Sequence, residues 1–183
     1  QARWPEADFV VGNPPFIGTE RMKAALGEGY VDALRRTWPN VPDSADVVMY
    51  WWDIAARLVR SRDIKVAGLV TTDKITQVFN RKILQRHLDE DGGVHLVFAT
   101  SDHPWVTSRF GNARGEAEVR IAMTVFRQGS GTGTLGRVVS EKVVADGIVE
   151  VELSIRHGRI NSDLTVGANV TGALSLSGNS ELC

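Results

Sequence analysis

Asn13-Pro14-Pro15-Phe16 brings together side chains that could do chemistry as a set. The side-chain oxygen of Asn13 and the carbonyl of Pro14 can each accept a hydrogen from an exocyclic amino group. Such an amine is a poor nucleophile, because its lone pair is delocalised into the attached ring. Two acceptors held out of the ring plane favour a tetrahedral nitrogen and localise that pair, which is electrostatic preorganisation combined with orientation. Phe16 offers a face on which a planar base can stack. The two prolines fix the geometry with little backbone freedom left to lose. A plain turn after a core strand is the competing reading, and the tetrapeptide alone does not exclude it.

The element that must position these groups is the run Phe9-Val10-Val11-Gly12, a short β-branched apolar segment read as a buried strand. Gly12 permits a sharp exit, and Asn13, preceding a proline, is held extended. The motif thus leaves the end of a strand, where open α/β sheets bind ligands.

Further along, Glu20–Leu26 and Tyr30–Thr37 have helical composition, separated by Gly27 and Gly29. After a proline-rich loop, Ser44 reads as an N-cap for a helix from Ala45 to about Arg60, with Val48, Trp52, Ala55, Ala56 and Val59 on one face. Val66–Thr72 is a near-continuous apolar strand of the doubly buried type. A helix follows from about Asn80 to Leu88, then a strand at His95–Thr100 and a polar loop from Ser101 to Gly115. Val119–Phe126 is a strong strand with no helix before it, so an antiparallel position is expected. Gly129–Gly136 reads as a linker, and two β-rich runs, Leu135–Val144 and Ile148–Arg156, flank an Asp-Gly hairpin signal. Beyond His157, loops or disorder are expected. The order implies an α/β layered architecture with one reversed strand.

Composition narrows the function classes. The 183 residues are 43% hydrophobic and 23% charged, as in a globular domain with no apolar run long enough to span a bilayer. A net charge of −1 gives no general bias toward polyanions. The single cysteine, at the C-terminal end, excludes a disulfide framework and a cysteine-based zinc site. Low cysteine use fits a reducing cytoplasm. The four histidines lack ligand spacing, so no metal is expected. The opening Gln1-Ala2-Arg3, in mid-element and without Met, leads us to expect an excised or truncated segment.

In order along the chain, Asn13-Pro14-Pro15-Phe16-Ile17-Gly18, Gly29-Tyr30-Val31, Ser44–Trp52, Thr71–Gln77 with Asn80-Arg81, and Asp102-His103-Pro104-Trp105 with Arg120–Met123 resemble the catalytic domain of N6-adenine DNA methyltransferases of the MmeI-like type II restriction-modification group. The resemblance covers the chain to about Arg127, and more loosely to Val170. It implies the C-terminal half of a class I S-adenosylmethionine-dependent methyltransferase sheet with a reversed last strand, plus an appended β-hairpin. Residues 1–128 would be a partial catalytic domain, the base-binding half. Residues 129–183 would form a linker, the hairpin and the start of a target-recognition region. The glycine-rich loop and acidic residue that hold the methyl donor precede the motif in that family, and too few residues precede Phe9 to supply them. The isolated chain is therefore expected to be inactive, not to bind S-adenosylmethionine, and to expose an apolar edge on its first strand.

The resemblance also implies roles. Asn13 and Pro14, with Pro15, would hold the amino group of an adenine extruded from double-stranded DNA, and Phe16 would stack on it. Trp105 or Phe110 could supply a second face, or Trp105 is a loop anchor beside Pro104. Asp46 resembles a position near the adenine of S-adenosylmethionine, or is an acidic residue in a first helical turn. Arg81, Lys82, Arg86 and Arg109 could touch phosphates or mark a solvated face. Cytosine-C5 chemistry is disfavoured, because the Pro-Cys nucleophile it needs is absent. Protein-glutamine or RNA methylation, and a non-catalytic partial domain, remain as alternatives.

Overall fold

A computed structural model describes residues 4–105, 119–143 and 149–168. Among these residues six strands form one mixed sheet: β1 (Phe9–Gly12), β2 (Val66–Thr72), β3 (Val94–Trp105), β4 (Val119–Gln128), β5 (Gly133–Val143) and β6 (Val149–Gly158), in the spatial order β1-β2-β4-β3-β5-β6. β1 and β2 are parallel, β4 runs antiparallel to both β2 and β3, and β3 and β5 are parallel. Among the described residues there are four helices: α1 (Thr19–Leu26), α2 (Glu28–Thr37), α3 (Val48–Arg60) and α4 (Val78–Asp89), with a 3-10 turn over Asp73–Thr76.

The core lies between α3 and one face of the sheet. Val48, Trp52, Ala55, Ala56 and Val59 are all buried, at the helical spacing that the sequence shows. They meet Ala67 and Leu69 of β2 and Phe126 of β4, all of them buried. Trp52 anchors the contact. Its ring centroid is 4.6 Å from that of Phe126, and its Nε1–H donates to Thr124 Oγ1 at 3.1 Å, so the one polar atom of the buried indole is satisfied.

The helix begins later than Ser44 suggests. Ser44 is exposed in a turn and is not the cap, and Val47 holds the N-terminal position. The Val47 amide donates to Ile17 O at 2.9 Å. That bond ties the entry of α3 to the segment after the Asn-Pro-Pro motif.

Strand β3 is longer than expected and takes in Ser101–Trp105, which the sequence presents as loop. Pairing with β4 survives a bulge between Thr100 and His103, where Asp102 adopts φ 55°. The Asp102 amide donates to the Asp73 carboxylate, and Arg120 bonds both the carboxylate and the carbonyl of Asp102, so tertiary partners hold an otherwise unfavourable conformation.

The stretch Gly129–Gly136 is only partly a connector, because β5 begins at Gly133. A Cβ on Gly133 would stand 2.2 Å from Leu96 O, so glycine is what lets β5 lie against β3. The β5–β6 pair therefore extends the main sheet. After β6 the chain runs in a loop, with Asn161, Ser162 and Leu164 buried in its turn.

β1 forms one edge of the sheet. Phe9 and Val11 point away from α3 and are 64% and 86% exposed.

Candidate functional site

Asn13 is exposed just beyond β1 and Pro14 is half-buried; of the four motif residues only Phe16 lines an open cavity of about 830 Å³. The cavity lies at the carboxyl ends of the two parallel strands, for Thr72 at the end of β2 also lines it. Arg21 and Lys74 supply positive charge to its wall, and Glu20 and Asp46 negative charge. The remaining wall comes from the start of α4, with Gln77, Phe79 and Asn80.

A hydrogen-bonded lock holds this corner together. Asp46 is almost buried; its Oδ1 accepts from the Thr19 amide at 3.1 Å and its Oδ2 from the Asn80 side-chain amide at 3.1 Å. Asn80 Oδ1 in turn accepts from the Asp46 amide at 3.0 Å, and Asn80 Nδ2 also donates to Lys74 O. Three segments far apart in sequence are thereby fixed to one another: the entry of α1, the approach to α3 and the first turn of α4. Phe16 lies three residues before Thr19, so the lock also constrains the segment that carries it. Each carboxylate oxygen keeps a second lone pair, which leaves Asp46 able to accept one more donor from the cavity.

Among the other sequence candidates, Trp105 lies at the end of β3 and is 37% exposed. It does not line this cavity, whereas Val119, its partner across β4, does. Phe110 and Arg109 lie outside the described residues. His103 Nδ1–H donates to Pro104 O at 2.9 Å, a contact within its own segment. Arg86 is turned away from the site toward Asp53 and Asn40 O. Lys82 stands over the Phe79 ring at 5.7 Å. Among the described residues no group of three or more His, Cys, Asp or Glu could hold a metal ion. No described helix is long and apolar enough to cross a membrane.

Sequence reasoning missed Phe79, which lay just outside the expected start of its helix. It also missed the buried carboxylate Asp53. Asp53 lies one turn before Arg57 on the otherwise apolar face of α3, the one pattern that could have flagged it.

The family model for the MmeI DNA-methyltransferase domain matches residues 2–135. A solved structure of the type IIL restriction-modification enzyme MmeI in complex with DNA superimposes with a TM-score of 0.59 at 22% identity. That match covers 88% of this chain but 20% of the MmeI chain, so the present sequence spans about one fifth of that protein's length. No curated protein matches the chain in sequence.

Proposed function

The chain belongs to the MmeI DNA-methyltransferase domain family, and from that premise we propose that it is the base-binding half of a DNA methyltransferase acting on the N6 amino group of adenine within a larger restriction-modification protein. The observation that carries the reading is that Phe16, three residues after the exposed Asn13 at the end of β1, lines an open cavity beside the carboxyl end of β2. β4, reversed between β2 and β3, supports assignment of these strands to the second half of a class I methyltransferase sheet.

In this reading Asn13 Oδ1 and the Pro14 carbonyl accept the two hydrogens of the adenine amino group. The nitrogen becomes tetrahedral, with its lone pair directed at the methyl carbon. One N–C bond forms as one S–C bond breaks, and the methylated amine sheds its extra proton to water. Phe16 stacks on the base, which must leave the duplex because its amino group is otherwise paired.

S-adenosylmethionine would supply an electrophilic methyl group. The chain fits it in part: Asp46, with acceptor capacity left at the cavity wall, suits the amino group of the donor's own adenine. The glycine-rich loop for the rest of the molecule is not among these residues. In this reading that loop belongs to another part of the larger protein, which would place a strand beside the open edge of β1. Residues 1–128 provide the base-binding half, and residues from 129 onward lead toward target recognition.

The test is methyl transfer from radiolabelled S-adenosylmethionine to unmethylated genomic DNA by the full-length protein, with the methylated base identified by mass spectrometry. N6-methyladenine is expected, and Asn13→Ala should lower the rate at least ~100-fold, the scale for losing one preorganised polar contact to the reacting group. Label in RNA or protein instead, or an Asn13→Ala enzyme of full activity, would overturn the assignment.

A further inference from the structure

Phe79 is the second residue of α4, and its ring is 49% exposed. Its backbone is nevertheless held firmly. The next residue, Asn80, is buried and bonded to both Asp46 and Lys74 O. A large apolar ring is thus carried on a fixed platform and left facing open space. That space is the same cavity that Phe16 lines. A half-exposed phenyl group gains free energy when a planar apolar surface covers it. The Nζ of the exposed Lys82 lies 5.7 Å from the ring centroid, so positive charge stands beside the ring.

We propose that Phe79 is the second aromatic contact of the base in this cavity, opposing or flanking the base that stacks on Phe16. The inference rests on the base-binding reading above and adds to it a residue that the motif does not contain. It assigns to the start of α4 a role that the sequence suggested for Trp105 or Phe110.

The experiment uses the full-length protein. Its methylated adenine is first located by sequencing, and a duplex carrying 2-aminopurine at that position is then used as the fluorescent probe. With the parent protein, fluorescence should rise on extrusion. Phe79→Ala and Phe79→Leu should each weaken binding of this duplex or lower kcat/KM for DNA roughly 10- to 100-fold, the range for losing one base–aromatic stack. Phe79→Tyr should stay within about threefold of the parent. Affinity for S-adenosylmethionine and the melting temperature should be unchanged in all three, because the ring is half-exposed and buries little.

Full activity and an unaltered 2-aminopurine signal in Phe79→Ala would overturn the inference. So would a Phe79→Leu enzyme equal to the parent, since no aromatic face would then be needed. Loss of S-adenosylmethionine affinity with DNA binding intact would overturn it too, by giving this wall to the methyl donor. If the parent protein methylates no adenine, the base-binding reading itself fails, an outcome separable from all of these.

Discussion

Asp53 shows how a single charge can be kept inside an apolar helix face. Its side chain is fully buried, yet His87 Nε2 lies 2.7 Å from Oδ1, Arg57 Nε lies 2.8 Å from Oδ2, and Arg86 reaches the same carboxylate. An ionised carboxylate can only accept, so the His87 Nε2 atom carries the hydrogen. Burial alone would raise the pKa of Asp53. The hydrogen bond from His87 and the charges of Arg57, His87 and Arg86 outweigh that and hold it below the usual carboxylate range. A depressed folded-state pKa stabilises the fold above the unfolded-state value of about 3.9, and the contribution fades as pH falls through the lower folded-state value. Asp53→Asn should therefore be less stable than the parent at pH 7 by about 2 kcal/mol, the scale of hydrogen bonds to a charged group. The gap should narrow toward pH 3. Urea denaturation of both proteins at the two pH values checks this, and a gap that widens in acid would contradict it.

Elements were legible wherever burial followed a period. The face of α3 is written in the positions of Val48, Trp52, Ala55, Ala56 and Val59, and β2 in the unbroken run from Val66. Because that face was correctly identified, its energetics can be predicted. Trp52→Phe removes the donor to Thr124 and part of the indole volume from a site with no solvent access, at a cost of about 2 kcal/mol in chemical denaturation. A Trp52→Phe protein as stable as the parent would show that the indole hydrogen bond adds nothing. Legibility failed where tertiary partners override local preference. Asp102-His103-Pro104 reads as a loop by composition, but Asp73 and Arg120 stabilise the bulge that keeps it in β3. Ser44 reads as a cap, but it is exposed in a turn and α3 starts at Val48. At the site, Asn13 to Phe16 stood out because two prolines and an amide are unusual at a strand end. Phe79 did not, since nothing local distinguishes it from a surface residue until the lock through Asn80 and Asp46 turns the first turn of α4 toward Phe16.

The two faces of the sheet are finished very differently, and this governs how the whole molecule should behave alone. α3 covers one face. On the other, Phe9 and Val11 are exposed, and Val70, Phe98, Met123 and Val125 are half-exposed around a shallow, apolar cavity of about 230 Å³. The strand register places these side chains together: Val11 lies beside Gly68, Gly68 beside Val125, and Val70 beside Met123. This apolar face is continuous with the open edge of β1, whose backbone groups on the side away from β2 have no strand partner among the described residues. Bare apolar sheet next to an open edge favours pairing with another chain. The isolated 183-residue chain is therefore expected to self-associate as its concentration rises, as read by sedimentation velocity. Val11→Lys puts a charge in the middle of the edge strand without touching the core beneath α3, and should shift the distribution toward monomer at equal concentration. A parent chain that stays monomeric at high micromolar concentration, or a Val11→Lys variant that associates just as strongly, would show that this face and edge do not drive assembly.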